Sequence, residues 1–243
     1  MTEFEWNILV RLIVAHVICD FYIQTDRFCE RKNNSDFRGC FLQFLHAFTH
    51  ALLSYLFVAK WTLWQIPLII YVSHWVIDVI KSHIKKQDSL VVFVVDQILH
   101  VGILFLICLF LIPNEGQTVT SCCWNAWIYA LGYLLLLKPA SLLISLFFKQ
   151  WEIKNEEMEL PKAGRWIGYF ERVLVMTFVL LGSYEAIGFL MAAKSIFRFG
   201  DLKEKHEIKL TEYVLLGTLM SFTIAVVVAM GTKILLKTTV NSL

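Results

Sequence analysis

The sequence predicts an all-α, polytopic integral membrane protein, a helical bundle of about seven transmembrane helices. Composition is the first observation: of 243 residues, 58% are hydrophobic and only 17% charged, with a mean hydropathy of +0.63. A soluble domain of this size needs more charge than that to cover its surface. Secondly, apolar runs of about 18 to 27 residues recur along the chain, the length a helix needs to cross the hydrocarbon layer. In lipid each backbone amide must be satisfied within its own segment, so these runs are helices rather than loose strands. Thirdly, the net charge is only +2, which gives nucleic acid no basic surface to bind.

The spans fall at 6–23, 41–59, 62–81, 90–112, 122–148, 172–197 and 211–236. The first is not read as a cleavable leader, because it lacks a basic approach and a small-residue cleavage site, and because it carries His16 and Asp20. Spans one to four form one module, residues 1–112. Residues 113–243 form a second module of three spans, set off by Pro113, Asn114, Glu115 and Gly116. Between spans five and six, segment 149–171 is polar, and Pro161 and Gly164 lead into a short interfacial helix at 165–171. Trp151 and Trp166 suit an interfacial aromatic belt. Span six holds Glu185, expected to pair with a basic group such as Lys138, and span seven, with Gly217 and Gly231, reads as scaffold.

Loop charge orients the bundle. Arg27, Arg31, Lys32, Arg38, Lys81, Lys85 and Lys86 fall on one side, with the basic residues of 149–172 and with Lys233 and Lys237. They outnumber the basic residues of the other side by more than two to one, which puts the N-terminus outside and the C-terminus in the cytoplasm. The basic loop 194–209 sits on the wrong side of that count. A break within 182–188, making span six a re-entrant pair, would return it to the cytoplasm. Of the six cysteines none forms a Cys-x-x-Cys pair, which argues against a thiolate zinc site. The adjacent Cys122 and Cys123 read as small apolar residues at a span end.

Ionisable residues inside a membrane are costly and mark function. Span one holds His16 and Asp20, span two His46 and His50, span three His74 and Asp78, span four Asp96 and His100. Each pair is spaced i, i+4, which stacks both side chains on one helix face. The pairs lie at the end of span one, the start of two, the end of three and the start of four. Because the chain reverses at every loop, all four pairs then share one level, the cytoplasmic leaflet, as in the core metal sites of helix bundles. Five imidazoles and three carboxylates suit a divalent metal, zinc first, with manganese or iron as alternatives, and are enough for two ions. Members not bound directly would orient the ligand imidazoles. Haem, ligated for instance by His46 and His100, explains the set less well, because it calls for no carboxylate one turn from each imidazole.

An internal match, Val14-Ala15-His16-Val17-Ile18-Cys19-Asp20 against Val72-Ser73-His74-Trp75-Val76-Ile77-Asp78, suggests two similar hairpins enclosing the site. Nearby polar groups are Gln24, Asp26, Arg27, Gln43, Ser73, Lys81 and Gln97. Lys81 either neutralises an anionic group or serves as an interfacial anchor. His83 and His206 read as ordinary exposed residues.

The strings His16-x-x-x-Asp20-Phe21-x-x-Gln24-x-Asp26, His46-x-x-x-His50, Ser73-His74-x-x-x-Asp78-x-x-Lys81 and Asp96-Gln97-x-x-His100 resemble a family of bacterial multi-pass membrane proteins known only as a domain of unknown function. The similarity covers residues 8–112. The runs 164–172, 184–188 and 193–195 look like the longer members of that family. The resemblance implies a bacterial inner-membrane location and brings no activity with it. A looser likeness, in ligand arrangement alone, is to membrane-bound metal-dependent hydrolases, and by the His-x-x-x-Asp spacing to zinc-dependent phospholipases.

The expected function is therefore a metal-dependent hydrolase at the cytoplasmic leaflet, acting on a phosphoester or lipid-derived substrate. The ion would sit among His16, Asp20, His46, His50, His74, Asp78, Asp96 and His100. One of the aspartates or Asp26 would be the general base, and Lys81 and Arg27 would hold the substrate phosphate. Partners are the lipid bilayer, that substrate and a second copy of the chain. Two alternatives stand beside it: a metal or proton transporter or channel completed by Glu185, and a membrane sensor or effector with a structural metal.

Overall fold

The computed structural model describes residues 3–32, 36–84, 89–112, 121–149, 163–199 and 205–240; the side chains of residues 3, 26–27, 121–123, 197–199, 205–211 and 238–240 lie outside that description. Every element among the described residues is a helix. α1 (Glu3–Val17) passes directly into a π-helical turn, Ile18–Ile23, since Val17 keeps right-handed helical angles, and the chain becomes extended at Gln24. Then come α2 (Asp26–Lys32), α3 (Phe37–Val58), α4 (Gln65–Ser82), α5 (Leu90–Leu111), α6 (Ser121–Leu136), α7 (Lys138–Phe148), α8 (Ala163–Leu181), α9 (Tyr184–Phe199) and α10 (Lys205–Val240).

The chain divides into two compact units, Met1–Leu134 and Leu135–Leu243. In the first, α1, α3, α4 and α5 close a ring in which each helix packs on its two neighbours. Consecutive members of the ring alternate in direction, the π turn and α2 lying between α1 and α3. Asp36 caps the start of α3, its Oδ1 accepting from Gly39 N at 2.7 Å, and Ala59 ends it in the left-handed conformation at φ 53°. One end of the ring is filled by apolar side chains, among them Leu12, Val58, Ile66, Ile70, Leu104 and Ile107.

Among the described residues five stretches are long and apolar enough to cross a membrane: Phe4–Ile23, Phe37–Val58, Leu90–Leu111, Trp124–Phe148 and Glu212–Lys237. They support a helical membrane protein, but the expected count of seven does not follow from them. α4 has 18 residues, yet Gln65, His74, Asp78 and Lys81 dilute its apolar character. The expected single helix at 122–148 is two, α6 and α7, which meet at Leu137. Pro139, in the first turn of α7, lacks an N–H and would crowd a continuing helix. The expected span 172–197 is also divided. α8 absorbs the stretch expected as a separate interfacial helix and stops at Leu181. There Gly182 takes φ +77°, its N–H bonds Val179 O (3.2 Å), and Ser183 N–H bonds Phe178 O (2.9 Å). This is the glycine-terminated cap in which a left-handed residue satisfies the last carbonyls. Glu185 lies exposed in the first turn of α9 rather than embedded among apolar side chains.

Within the second unit Arg172 is buried, with Nη1 donating to Ser221 Oγ at 3.0 Å, Nη2 to Ser141 Oγ at 2.6 Å and Nε to Leu136 O at the α6–α7 break. Gly168, one turn earlier, makes room for it: a Cβ there would stand 2.9 Å from the guanidinium. Lys194 and Glu171 pair at 2.7 Å.

Candidate metal centre

The four ligand-bearing helices deliver their pairs to one level. His16 ends α1, Asp20 sits in the π turn, His46 and His50 are in the first half of α3, His74 and Asp78 in the second half of α4, and Asp96 and His100 in the first half of α5. The ring centroids of His16, His46, His50 and His100 all lie within 5.6 Å of that of His74. The structure thus brings together all eight residues singled out by spacing. They form three groups whose ligand atoms lie within 4.8 Å of one another: His16, Asp20, His50 and His74; His46, His74 and Asp78; and Asp78, Asp96 and His100. Each group could hold a metal ion.

Asp20 is the hub. Its Oδ1 accepts from His50 Nε2 (3.0 Å) and His46 Nε2 (3.1 Å), and its Oδ2 accepts from the Gln97 amide (3.1 Å) and lies 3.4 Å from His16 Nε2. Gln97 Oε1 in turn lies 3.2 Å from His16 Nε2, and the Gln24 amide donates to His46 Nδ1 at 2.6 Å. The same amide stands 2.5 Å from His46 Nε2, and His46, through its contact with Asp20 Oδ1, serves to orient that carboxylate. His74 is different. Only 3% exposed, it has no hydrogen-bond partner at either ring nitrogen among the described residues, and its nearest carboxylate oxygens stand at 3.8 and 3.9 Å. His100 Nε2 and Asp96 Oδ1 are likewise buried without a hydrogen bond. Buried polar atoms left unpaired cost about 1–3 kcal/mol each, so lone pairs converging in this way fit a cation. A cavity no larger than a water molecule adjoins them, lined by His16, His50, His74 and His100 on one side and Ser54, Ile70 and Leu104 on the other.

Two lysines close the polar end. Lys81 Nζ contacts Asp96 Oδ2 at 2.8 Å, and Lys32 Nζ contacts both Asp78 oxygens at 3.1 and 3.2 Å. Burial works against the Lys32 ammonium, but the facing Asp78 and Asp20 carboxylates reverse this and raise its pKa above the ordinary lysine value. Lys32 is held over the site by α2, whose last carbonyl accepts from Gln43 Nε2 at 2.9 Å. By spacing, Lys32 enters only the loop-charge count, since nothing separates it from Arg27, Arg31 or Arg38. The side chains of Asp26, Arg27 and His206 lie outside the described residues; His83 is exposed.

No curated protein and no solved structure matches the chain. Residues 8–128, which include every ligand candidate, match the model of an uncharacterised family described as "Protein of unknown function (DUF3307)".

Proposed function

We propose that this chain is a membrane-embedded, metal-dependent hydrolase that works at the cytoplasmic leaflet on a phosphoester or lipid-derived substrate. The observation that carries the reading is the convergence of His16, Asp20, His50 and His74 within 4.8 Å, with both ring nitrogens of His74 unpaired in a buried site. Three imidazoles and one carboxylate are a donor set that suits zinc, and manganese or iron less closely. A divalent ion held there supplies Lewis-acid chemistry and lowers the pKa of bound water.

The chain's own residues divide the remaining work. His46 and Gln97 fix the Asp20 carboxylate, and a carboxylate of the cluster takes up the proton released in hydrolysis. Lys81, with 21% of its side chain exposed against 7% for its partner Asp96, is placed to meet an anionic substrate at the mouth. Loop charge favours the cytoplasmic side for that mouth, with the N-terminus outside, and the family resemblance favours a bacterial inner membrane. A transport path would need polar lining through the whole bundle. One turn beyond the histidines, however, the ring is packed with Leu12, Ile66, Ile70 and Leu104, which favours hydrolysis over transport.

The test is elemental analysis of detergent-purified protein beside Asp20→Asn and His50→Ala. It is coupled to hydrolysis of p-nitrophenyl phosphate and of vesicles containing phosphatidic acid and phosphatidylglycerol. Bound metal, and hydrolysis lost on chelation and in both variants, is expected. A metal-free wild type, or metal flux into vesicles without hydrolysis, overturns the proposal.

A further inference from the structure

The geometry points to a second cation site, formed by Asp78, Asp96 and His100 and held shut by Lys32 and Lys81, whose two ammonium groups stand in for one divalent ion. The inference rests on the metal reading above and concerns its regulation. A neutral imidazole offers one lone pair, so His74 can serve only one ion at a time. Of the three ligand groups, only His16–Asp20–His50–His74 and Asp78–Asp96–His100 share no member and can be filled together.

Charge separates these two. Among the described residues Asp20 makes no direct salt bridge with a lysine and feels Lys32 only at longer range, whereas Asp78 is paired with Lys32 and Asp96 with Lys81. Two monovalent cations therefore balance the two carboxylates of the second group, while the carboxylate of the first is hydrogen-bonded, among the described residues, only to imidazoles and an amide. Yet the second group is not satisfied as a set of ligands. Asp96 Oδ1 and His100 Nε2, 3.6 Å apart and both buried, have no hydrogen bond among the described residues, and with Asp78 they lie close enough to share one ion.

Entry of an ion requires both lysines to leave. Lys32 rides on the seven-residue α2, tied down by Gln43 to its own carbonyl and by Cys29 Sγ to Gln24 Oε1 at 3.0 Å. Lys81 is already part-exposed. An ion entering the second site displaces both ammonium groups towards the mouth and so creates there a pair of cations for an anionic substrate. Two carboxylates and one imidazole favour manganese or magnesium over zinc.

The experiment is an EPR titration of zinc-loaded, purified protein with Mn2+. Wild type should bind Mn2+ weakly. Lys32→Met, and Lys32→Gln as a second route, should bind it with a Kd lower by about tenfold or more. Adding His100→Ala to Lys32→Met should abolish Mn2+ binding and leave the zinc content intact. Equal Mn2+ affinity in wild type and both Lys32 variants, or tight Mn2+ binding that survives His100→Ala, overturns the inference. A chain that holds no zinc in any form instead overturns the hydrolase reading, so the two failures are told apart.

Discussion

Lys32 and Asp78 form the most enclosed lysine–carboxylate pair among the described residues, and a mutant cycle on it tests the arrangement at the mouth without any metal. The side chains are 9% and 3% exposed and both carboxylate oxygens are engaged, at 3.1 and 3.2 Å. Removing one partner of such a pair leaves a buried charge uncompensated, which costs about 3–5 kcal/mol. Lys32→Met does this, because Asp78 is buried, and among the described residues its other ionisable contacts within 4 Å are His46 and His74 at 3.8–3.9 Å. For a chain of this length each kcal/mol moves Tm by about 2–4 °C, so a fall on the order of 10 °C is expected. Asp78→Leu should cost less than half as much, since the freed ammonium on α2 can swing to water along its apolar stem. The double variant should recover most of the Lys32→Met loss, because replacing both charges by apolar groups is often neutral. The assay is tryptophan-fluorescence melting in detergent with EDTA present throughout. If the double variant melts at the sum of the two single losses, Lys32 and Asp78 are not coupled, and the closure of the site by α2 is wrong.

His50→Ala and His46→Ala should separate ligand from orienter: elemental analysis is expected to find the first metal-free, while the second keeps metal with affinity reduced about 10–100-fold. Removing metal from wild type with a chelator should lower Tm, since an ion present at 100 times its Kd adds about 2.7 kcal/mol of stability; an unchanged melt would mean that no ion is bound. Arg172→Met should destabilise the second unit by about 3 kcal/mol or more, because it strips charge-assisted bonds from Ser141, Ser221 and the Leu136 carbonyl; it should leave metal content unchanged, and a fall in bound metal would contradict that. Gly182→Ala forces a β-carbon into the left-handed region and should cost about 1–2 kcal/mol in the same melt; no loss would mean the α8–α9 turn is not held as described.

What the sequence made legible, and what it hid, follows one physical line. A buried ionisable side chain in a membrane is expensive enough to be rare, so four His/Asp pairs at i, i+4 stand out, and chain reversal alone puts them at one depth. That reasoning needs only local geometry. It even survives the π turn at Ile18–Ile23, which it did not foresee: His16 and Asp20 still meet at 3.4 Å. The breaks at Leu137 and Gly182 were also written locally, in Pro139 and in the glycine itself, and Gly182 was within the stretch flagged as a possible break. Span counting averages over such residues, and for the same reason it cannot separate α4 from a span, since its ligands are what lower its hydropathy. Lys32 escaped because its partner lies 46 residues away on another helix. A lysine in a loop is cheap and common, and its meaning arises only when tertiary packing sets it against a carboxylate. Spacing could thus find the residues that must be explained wherever they sit, but not the residue whose role depends on what it meets. That difference matters for the chemistry. Eight potential ligands suggest a site waiting for two ions, whereas two of the three carboxylates are already paired with lysines, which leaves only Asp20 without a direct lysine salt bridge among the described residues. The first ion is therefore expected at Asp20, and any second must compete with the protein's own cations.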